Sequence, residues 1–373
     1  MIYDTVIIGA GPAGSHLSYL LAKHGQKVAL VDRSIFPRDK LCGGLLTYKT
    51  IELLNASYPE SDFDGLDIKS VTVYYKNEKM VSFNILSSSR IVRRYSFDTN
   101  LISLAKEQNV SFYFGTSLKT INFRDNEVLL SNGTILKYKQ LVGADGALSK
   151  VRKASGLPNN QLGFCVEAHI SWDKLNDQSH LSTHRIEIYY GDYSQGYAWL
   201  FPSSDALVVG VGNIANGMKE KEIVDRFYLF LRDILCCDNV SLRGAYIPSG
   251  NSVILGSSQH KNVHLIGDAA GLIDPFTGEG IYYALLSAEM LAKAILSKKP
   301  TYAQYMYYMQ PIVDTIDDNV LIRNEIYTPT ILKNAIASMK NVPTYSEALI
   351  DETILRYSKL YRTAYEEFKY YSR

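Results

Sequence analysis

The chain has 373 residues, 46% of them hydrophobic, which exceeds one typical core and predicts two domains or one large interrupted domain. Its 39 basic residues nearly balance its 38 acidic residues, so there is no electrostatic reason to expect a nucleic-acid partner. The four cysteines fit no zinc-binding spacing, so no metal site is expected, and they are typical of a reducing, cytoplasmic compartment.

The N-terminal residues predict a nucleotide-binding unit. A strand, a helix and a second strand are predicted over residues 3–8, 12–24 and 27–31. Between the first strand and the helix, Gly9, Gly11 and Gly14 permit a tight turn and let a pyrophosphate approach the helix N-terminus. Asp32 follows the second strand, where a carboxylate accepts hydrogen bonds from a ribose. Together these features predict a dinucleotide site.

The middle of the chain is rich in predicted strands. Alternating apolar residues predict strands at 70–75 and 79–85, and Asn132-Gly133 predicts a hairpin within 127–136. Helices are predicted at about 96–107 and 219–235, and further strands between 164 and 212. We therefore expect a sheet domain inserted into a nucleotide-binding domain.

Two later predicted strands, 140–143 and 263–266, each lead to an acid, Asp145 and Asp268. An acid at the carboxyl end of a parallel strand lies where doubly wound sheets bind ligands. A glycine-containing loop over 275–280 then precedes a predicted helix at 281–296, whose N-terminal amides and dipole would stabilise negative charge on a reduced ring system. Loops that only connect a strand to a helix are the alternative for each segment.

These motifs resemble those of geranylgeranyl reductase family flavoproteins, within the wider para-hydroxybenzoate hydroxylase-like group, over about residues 1–296. The resemblance implies that the glycine motif and Asp32 form the FAD fingerprint. Asp145-Gly146 matches a mid-chain Asp-Gly motif, and Gly267-Asp268 matches a motif whose acid meets the ribityl chain of the flavin. Arg94 matches an arginine that lies near the FAD, and a solvated arginine is the alternative.

Two further matches are specific to the reductases. Residues 37–44, Pro-Arg-Asp-Lys-Leu-Cys-Gly-Gly, resemble the signature P-R-x-K-x-C-G-G. Residues 197–202, Tyr-Ala-Trp-Leu-Phe-Pro, with the later Gly210-Val211-Gly212, resemble Y-x-W-x-F-P…G-x-G, although Ser194 stands where the family often has proline. The match implies that Cys42 borders the reaction space as a proton donor or substrate contact, and simple packing of Cys42 is the alternative.

Tyr197, Trp199 and Phe201 alternate on a predicted strand, so they point to one face and would line a long apolar pocket. Ordinary sheet packing is the alternative for each of them. Cys42, Tyr197 and Trp199 are the predicted catalytic residues. The predicted FAD-binding residues are Gly9, Gly11, Ala13, Gly14, Asp32, Arg33, Arg38, Lys40, Cys42, Gly43, Gly44, Arg94, Asp145, Gly146, Gly267, Asp268, Pro275, Gly278, Gly280 and Ile281.

The predicted fold is α/β, a Rossmann-like FAD-binding domain with an inserted antiparallel β-sheet substrate domain and a C-terminal helical segment. The FAD-binding domain is assigned to residues 1–69, 96–160 and 256–298, the substrate domain to 70–95 and 161–255, and the Tyr-rich C-terminal segment to 299–373. Within that last segment, apolar and aromatic residues between 354 and 368 recur at helical spacing beside basic residues. They predict a helix that lies on a membrane surface, guards the pocket mouth or packs on the core. No apolar run is long enough to predict a membrane span.

The resemblance implies an FAD-dependent oxidoreductase that reduces carbon–carbon double bonds of an isoprenoid, geranylgeranyl-type chain by hydride transfer from reduced flavin. Because no separate nicotinamide domain is visible, the expected reductant is NADPH, NADH or reduced ferredoxin. The expected partner is a lipophilic isoprenoid, with peripheral membrane contact and oligomeric state left open.

Two other functions are the alternatives. One is an FAD- and NAD(P)H-dependent monooxygenase that hydroxylates a small or lipophilic substrate, and the other is a flavin electron-transfer or binding protein. Residues 37–44 and 197–202 favour the reductase over the monooxygenase. The absence of iron–sulfur cysteine spacing counts against an electron carrier.

Overall fold

The structure is a computed structural model that describes residues 1–175, 181–214, 217–237, 240–297 and 299–338. The helix predicted around 354–368 lies outside these residues. Among the described residues, no helix is both long enough and apolar enough to cross a membrane.

The strands and helices follow in chain order. The strands are β1 (Ile2–Ile8), β2 (Val28–Asp32), β3 (Leu45–Leu46), β4 (Leu66–Tyr75), β5 (Glu78–Ile91), β6 (Ser111–Phe114), β7 (Leu118–Asn122), β8 (Glu127–Leu130), β9 (Ile135–Gly143), β10 (Leu162–Ser171), β11 (Arg185–Tyr190), β12 (Gly196–Pro202), β13 (Ala206–Asn213), β14 (Arg243–Pro248) and β15 (Val263–Leu265). The helices are α1 (Pro12–Lys23), α2 (Tyr48–Ser57), α3 (Arg94–Lys106), α4 (Lys150–Ala154), α5 (Glu220–Leu235), α6 (Ile281–Leu296), α7 (Thr301–Ile326) and α8 (Pro329–Ser338).

The first sheet has seven strands in the order β6-β2-β1-β9-β8-β7, with β15 also paired to β9. β1 runs parallel to β2 and β9, because α1 crosses over between β1 and β2. β8 and β9 pair antiparallel through the hairpin predicted at Asn132-Gly133. The carboxyl ends of β1, β2 and β9 therefore meet at one edge, where open α/β sheets bind ligands.

The second sheet has eight strands in the order β14-β10-β13-β12-β11-β4-β5-β3. It is antiparallel except where β11 runs parallel to β4. The side chains of each strand alternate between two faces, so the sheet contributes to two separate apolar clusters. One face packs under α5 through residues such as Val209 and Phe227, and the other contributes Trp199 and Phe201 to a cluster that includes α8.

The predicted α/β fold, with a Rossmann-like part, an antiparallel sheet and C-terminal helices, is confirmed. The strand predicted at 70–75 begins at Leu66, and residues 45–46 join the same sheet, because the long strand β5 extends far enough to pair with both segments. The pairing of residues 45–46 with β5 joins segments that are distant in the sequence, so no pattern within 45–46 indicates it. The division of the chain into domains stays a proposal.

Candidate functional site

The glycine loop after β1 forms one wall of a cavity between the two sheets. A Cβ at Gly9 would lie 2.2 Å from the Ala144 carbonyl oxygen, and one at Gly14 would lie 1.8 Å from the Gly9 carbonyl oxygen, so both positions require glycine for close packing. A Cβ at Gly11 would meet no atom within 4 Å, and Gly11 lines the cavity with Ala13. Gly9 and Gly14 thus shape the turn, whereas Gly11 leaves open space for a ligand.

Asp32 lies at the end of β2 and is held in place by the backbone. Its Oδ2 accepts a hydrogen bond from the Ala10 amide at 2.7 Å, and its Oδ1 accepts one from the Ser34 amide at 2.8 Å. This arrangement fixes a carboxylate beside the glycine turn. The predicted neighbour Arg33 is exposed and is not among the cavity-lining residues.

The mid-chain acid Asp145 is occupied in capping α4. Its carboxylate accepts hydrogen bonds from Ser149 Oγ at 2.5 Å and from the Lys150 amide at 2.7 Å. Burial raises the pKa of Asp145, although these hydrogen bonds oppose the shift. Gly146 lines the cavity and Asp145 does not, so the structure gives Asp145 a local structural contact.

A second helix N-terminus faces the cavity at the start of α6. Gly278, Gly280 and Ile281 line the cavity there, and α6 has no side-chain N-cap. The Asp268 carboxylate borders the same space, with Lys40 Nζ 4.0 Å from its Oδ2. A Cβ at Gly267 would lie 3.2 Å from that of Ala13, so Gly267 allows the second motif to pack against the first.

The loop before α6 depends on residues that sequence reasoning missed. The buried Asp274 accepts hydrogen bonds at Oδ1 from the Phe276 and Thr277 amides and at Oδ2 from Asn319 Nδ2. Arg323 NH1 lies 3.5 Å from the Pro275 carbonyl oxygen and also donates to the Ser249 carbonyl at 2.7 Å, so Asn319 and Arg323 of α7 hold the loop in place. The turn pattern Asp-Pro-Phe-Thr is a local signal for the Asp274 cap. The predicted Pro275 packs against Gly250 and is not a cavity-lining residue.

Glu279 adds a carboxylate to this end of the cavity. Its Oε1 accepts a hydrogen bond from Thr47 Oγ1 at 2.6 Å, and its Oε2 lies 2.5 Å from Lys49 Nζ. The side chains of Glu279 and Lys49 are both largely buried. The α2 end of the cavity therefore carries a paired charge rather than an unpaired one.

Residues 37–44 place Cys42, Gly43 and Gly44 in the cavity wall. The Gly44 amide lies 3.4 Å from Cys42 Sγ, and Gly44 has φ +77°, with the Val92 carbonyl oxygen 2.1 Å from the position of an added Cβ. A Cβ at Gly43 would lie 2.7 Å from the Phe201 ring. Both glycines are therefore required for the loop to pass between β5 and the aromatic residues of β12.

A buried ion cluster holds this loop to α3. Asp98 accepts two hydrogen bonds from Arg94, at 2.7 and 2.8 Å, and Arg38 NH2 lies 3.0 Å from its Oδ2. Burial lowers the pKa of the Arg94 guanidinium, but Asp98 and Cys42 outweigh that effect and raise the pKa above its ordinary value. Arg94 is only 6% exposed, so the alternative of a solvated arginine is wrong.

The sheet side of the cavity is apolar. The whole cavity has a volume of about 300 Å³. On the side of the second sheet, it is lined by alternate residues of five strands. They are Val71 and Val73, Phe83 and Ile85, Ile186, Ile188 and Tyr190, Tyr197, Trp199 and Phe201, and Ala245 and Ile247. The three aromatic residues predicted for the pocket therefore lie side by side along β12.

Tyr197 and Trp199 each contact a specific neighbouring residue. The Tyr197 hydroxyl donates to the Thr277 carbonyl, and burial raises the pKa of Tyr197 well above its ordinary value, so the phenol stays protonated. The Trp199 ring covers Gly210, where an added Cβ would lie 2.1 Å from the ring. The glycines of the G-x-G motif therefore make room for the indole.

Residues 2–298 of the chain match the FAD binding domain family. This chain belongs to that family. The resemblance to geranylgeranyl reductase family flavoproteins, expected over about residues 1–296, is confirmed, and FAD is the cofactor of the family. The residues present fit FAD, since Gly11 leaves open space at the uncapped N-terminus of α1, Asp32 is fixed beside the glycine turn, and the uncapped N-terminus of α6 faces the same cavity.

Three curated proteins are similar to most of this flavoprotein. An uncharacterised protein of Methanosarcina barkeri is 31% identical over 303 residues, covering 79% of this chain and 75% of that protein. Menaquinone reductase of Mycolicibacterium smegmatis is 28% identical, covering 79% and 76%. Digeranylgeranylglycerophospholipid reductase of Methanococcus vannielii is 29% identical, covering 79% and 78%.

Solved structures share the fold at lower identity. A geranylgeranyl bacteriochlorophyll reductase-like protein from Thermoplasma acidophilum has a TM-score of 0.79 at 19% identity, covering 95% of each chain. The flavin-dependent brominase Bmp2 has a TM-score of 0.74 at 20% identity, covering 99% of each chain. Because both likenesses show the fold alone, the reaction has to be argued from the site.

Proposed function

We propose that this flavoprotein reduces carbon–carbon double bonds in an isoprenoid chain. The observation that carries the proposal is the apolar wall formed by alternate residues of β4, β5, β11, β12 and β14, which begins at the Cys42–Gly43 turn. An unbranched polar or ionic substrate would leave this wall unmatched, whereas a methyl-branched hydrocarbon matches its aliphatic and aromatic side chains. The names of the reductases among the relatives support a lipophilic substrate.

The two motif regions would hold FAD. Gly11, Ala13 and the N-terminus of α1 would bind the pyrophosphate, and Asp32 would bind the ribose. Asp268 and the N-terminus of α6 lie where the ribityl chain and ring would bind, and Lys40 lies close to Asp268. When bound and reduced, FAD supplies the hydride of the reduction.

The side chains of this protein must supply a proton and stabilise positive charge during the reduction. An isolated alkene is not polarised, so a proton must reach one carbon while positive charge at the other is stabilised. The Cys42 thiol holds a proton at Sγ on the cavity wall, beside Gly43. The ring faces of Tyr197 and Trp199 stabilise positive charge in a site that the apolar wall keeps free of water.

Product formation without oxygen tests this function. The purified flavoprotein, reduced chemically, is incubated with a geranylgeranyl lipid, a geranylgeranyl diphosphate or a polyprenyl quinone, with and without oxygen. The proposal expects the mass of one of them to rise by pairs of hydrogen atoms under both conditions. A rise of one oxygen atom only when oxygen is present would replace it with the monooxygenase alternative. No change in any substrate would favour the electron-transfer alternative.

The electron donor is tested separately. We propose NADPH, NADH or reduced ferredoxin as the external reductant, and each is added to the oxidised protein without substrate. The expected result is bleaching of the flavin absorbance by one of the three. A lipophilic substrate is also consistent with peripheral membrane contact, which is tested by sedimentation of the protein with vesicles.

A further inference from the structure

A buried carboxylate lies on the cavity side of the second sheet and has no assigned role. Glu167 is 0% exposed and lies on β10, two residues after Cys165, so both side chains are on the same face. Cys165 lines the cavity. Glu167 Oε2 has no hydrogen-bond partner among the described residues. A buried carboxylate oxygen without a partner is costly, so its place on the cavity side of the sheet requires an explanation.

The strand register places Glu167 beside the aromatic residues of β12. Glu167 pairs with Gly210 of β13, and Gly210 pairs with Trp199. The Trp199 ring covers Gly210, and its Nε1 also lacks a hydrogen-bond partner within the described residues. That nitrogen lies 3.4 Å from where a Cβ of Gly43 would stand. The Cys42–Gly43 turn therefore passes over the same row of the sheet that carries Glu167.

Cys165 links Glu167 to Cys42. Burial, and after it the charges of Glu167 and Cys42, raise the pKa of the Cys165 thiol to about 12. Cys42 and Cys165 line the same cavity, and Glu167 lies two residues from Cys165 on the same face of β10. Because its pKa is raised, Cys165 remains a thiol and adds no negative charge to this part of the cavity wall.

A path leads from Glu167 to solvent. His169, two residues further on the same face of β10, has Nε2 2.8 Å from Glu167 Oε1, and its side chain is 21% exposed. Arg243 of β14 flanks the pair, with NH2 3.5 Å from His169 Nε2 and NH1 2.6 Å from Asp39 Oδ2. The Arg243–Asp39 pair also ties the loop that carries Cys42 to this edge of the sheet.

We propose that Glu167 supplies the proton that restores the Cys42 thiol, with His169 as its link to solvent. This inference rests on the proposed function. Each reduced double bond takes a hydride from the reduced cofactor and a proton from Cys42 Sγ, whose S–H bond breaks as a C–H bond forms. The thiolate regains a proton through Glu167, whose resting carboxylate takes the proton from His169 Nε2–H and passes it to Sγ, while water reprotonates His169 at its other ring nitrogen. No residue changes its oxidation state.

Glu187 provides a matched control. It is 2% exposed and lies in the same sheet, but it occupies the opposite face, where it pairs with Arg185 at 2.8 Å and accepts from Tyr189 at 2.7 Å. Glu167→Gln removes the carboxylate on the cavity side of the sheet, and Glu187→Gln removes a similarly buried carboxylate on the opposite face. Glu167→Asp keeps the charge.

The first arm of the test needs no substrate. Alkylation of Cys42 by iodoacetamide is measured in the FAD-loaded protein at fixed pH, with the modified cysteine located by peptide mass mapping. Glu167→Gln is expected to raise the rate about tenfold, because a thiolate is favoured when a neighbouring negative charge is removed. Glu187→Gln and Glu167→Asp are expected to stay within about twofold of the wild type. An unchanged rate in Glu167→Gln, or an equal rise in Glu187→Gln, overturns the proposal.

The second arm uses turnover. Glu167→Gln is expected to lower kcat about 100-fold with little change in KM, and to increase the solvent deuterium isotope effect, because proton supply becomes limiting. Glu167→Asp recovers part of the activity. Wild-type kinetics in Glu167→Gln contradict the proposal. If the wild type turns over no isoprenoid, the proposed function fails, and the alkylation arm still decides whether Glu167 acts on Cys42.

Discussion

Single residues at the cavity divide into those that pack against protein and those that face the ligand. Gly9 and Gly14 are in the first group because an added Cβ would overlap backbone atoms, and Gly11 is in the second. The G-x-G-x-x-G pattern was enough to predict the turn between β1 and α1. It did not indicate which of its three glycines packs against protein and which faces the ligand. That difference depends on which backbone segment packs against the turn, and here it is the segment at Ala144.

Gly11→Ala separates cofactor binding from folding. Because a Cβ at Gly11 meets no protein atom within 4 Å, we expect the free energy of unfolding of the cofactor-free protein to stay within about 0.5 kcal/mol of the wild type. FAD affinity should fall at least about tenfold, because the methyl group occupies the open cradle. Chemical denaturation and flavin fluorescence titration measure the two quantities. Unchanged FAD affinity would contradict the placement of the pyrophosphate, and Gly14→Ala is the control expected to disrupt the fold.

Gly43→Ala tests the contact between the cysteine loop and the aromatic row. The added Cβ would lie 2.7 Å from the Phe201 ring, so the loop or the ring has to shift. Displacement of reacting groups by about 1 Å costs on the order of 100-fold in rate, so we expect kcat to fall by about that factor while FAD binding persists. A variant with wild-type kcat would show that the Cys42 turn does not border the reaction space.

At the scale of elements, the loop at 37–44 is fixed to α3 by charge. Asp98 is fully buried and receives both Arg94 and Arg38, so it compensates two cations. The sequence motifs indicated both arginines but not Asp98, although Asp98 stands only four residues after Arg94. An i,i+4 pair is visible in a sequence, but its burial depends on the loop that folds over it.

Asp98→Asn is expected to lower the free energy of unfolding by about 3 kcal/mol, because it leaves buried arginine charge uncompensated. The control is Asp67→Asn, which removes an ion pair to Arg90 at a side chain that is 64% exposed and should cost less than about 1 kcal/mol. Urea denaturation of both variants makes the comparison. Equal losses in the two variants would contradict the account of the buried cluster.

At the scale of the whole molecule, β1, α1 and β2 were predicted to within one residue at each end because their signals are local. The strand–glycine turn–helix order fixed β1 and α1, and the hairpin signal fixed the β8–β9 pairing. Asp274 and Glu167 escaped prediction because their roles arise from α7 and from the β10–β13 register, which join distant parts of the chain. The apolar side of the cavity was only partly predictable: alternation indicated a face, but not which strands share it.

Acid sensitivity is a property of the whole fold. Burial lowers the pKa of His264 to about 4, and burial also lowers the pKa of His16. Because the folded pKa is depressed, the unfolded chain takes up a proton that the folded chain does not, and stability falls as the pH drops below about 6.5. Between pH 7.5 and 5, His264 alone should cost about 2 kcal/mol of the free energy of unfolding.

His264→Asn removes one of these two contributions. The free energy of unfolding is measured by denaturation at pH 7.5 and at pH 5, both with saturating FAD. Its decrease between the two pH values should be about 2 kcal/mol smaller in the variant than in the wild type. Comparing the two losses cancels the contribution of all other groups. An identical loss in both proteins would mean that His264 is not the buried neutral imidazole described above.

The most direct test of the central claim follows the flavin itself. The FAD-loaded protein is reduced, freed of oxygen and mixed in a stopped-flow spectrophotometer with the geranylgeranyl lipid, geranylgeranyl diphosphate or polyprenyl quinone. The account predicts that one of these reoxidises the flavin without oxygen and that the recovered isoprenoid gains one hydrogen pair for each flavin oxidised. Reoxidation that occurs only after oxygen is admitted, with the isoprenoid unchanged, would contradict it.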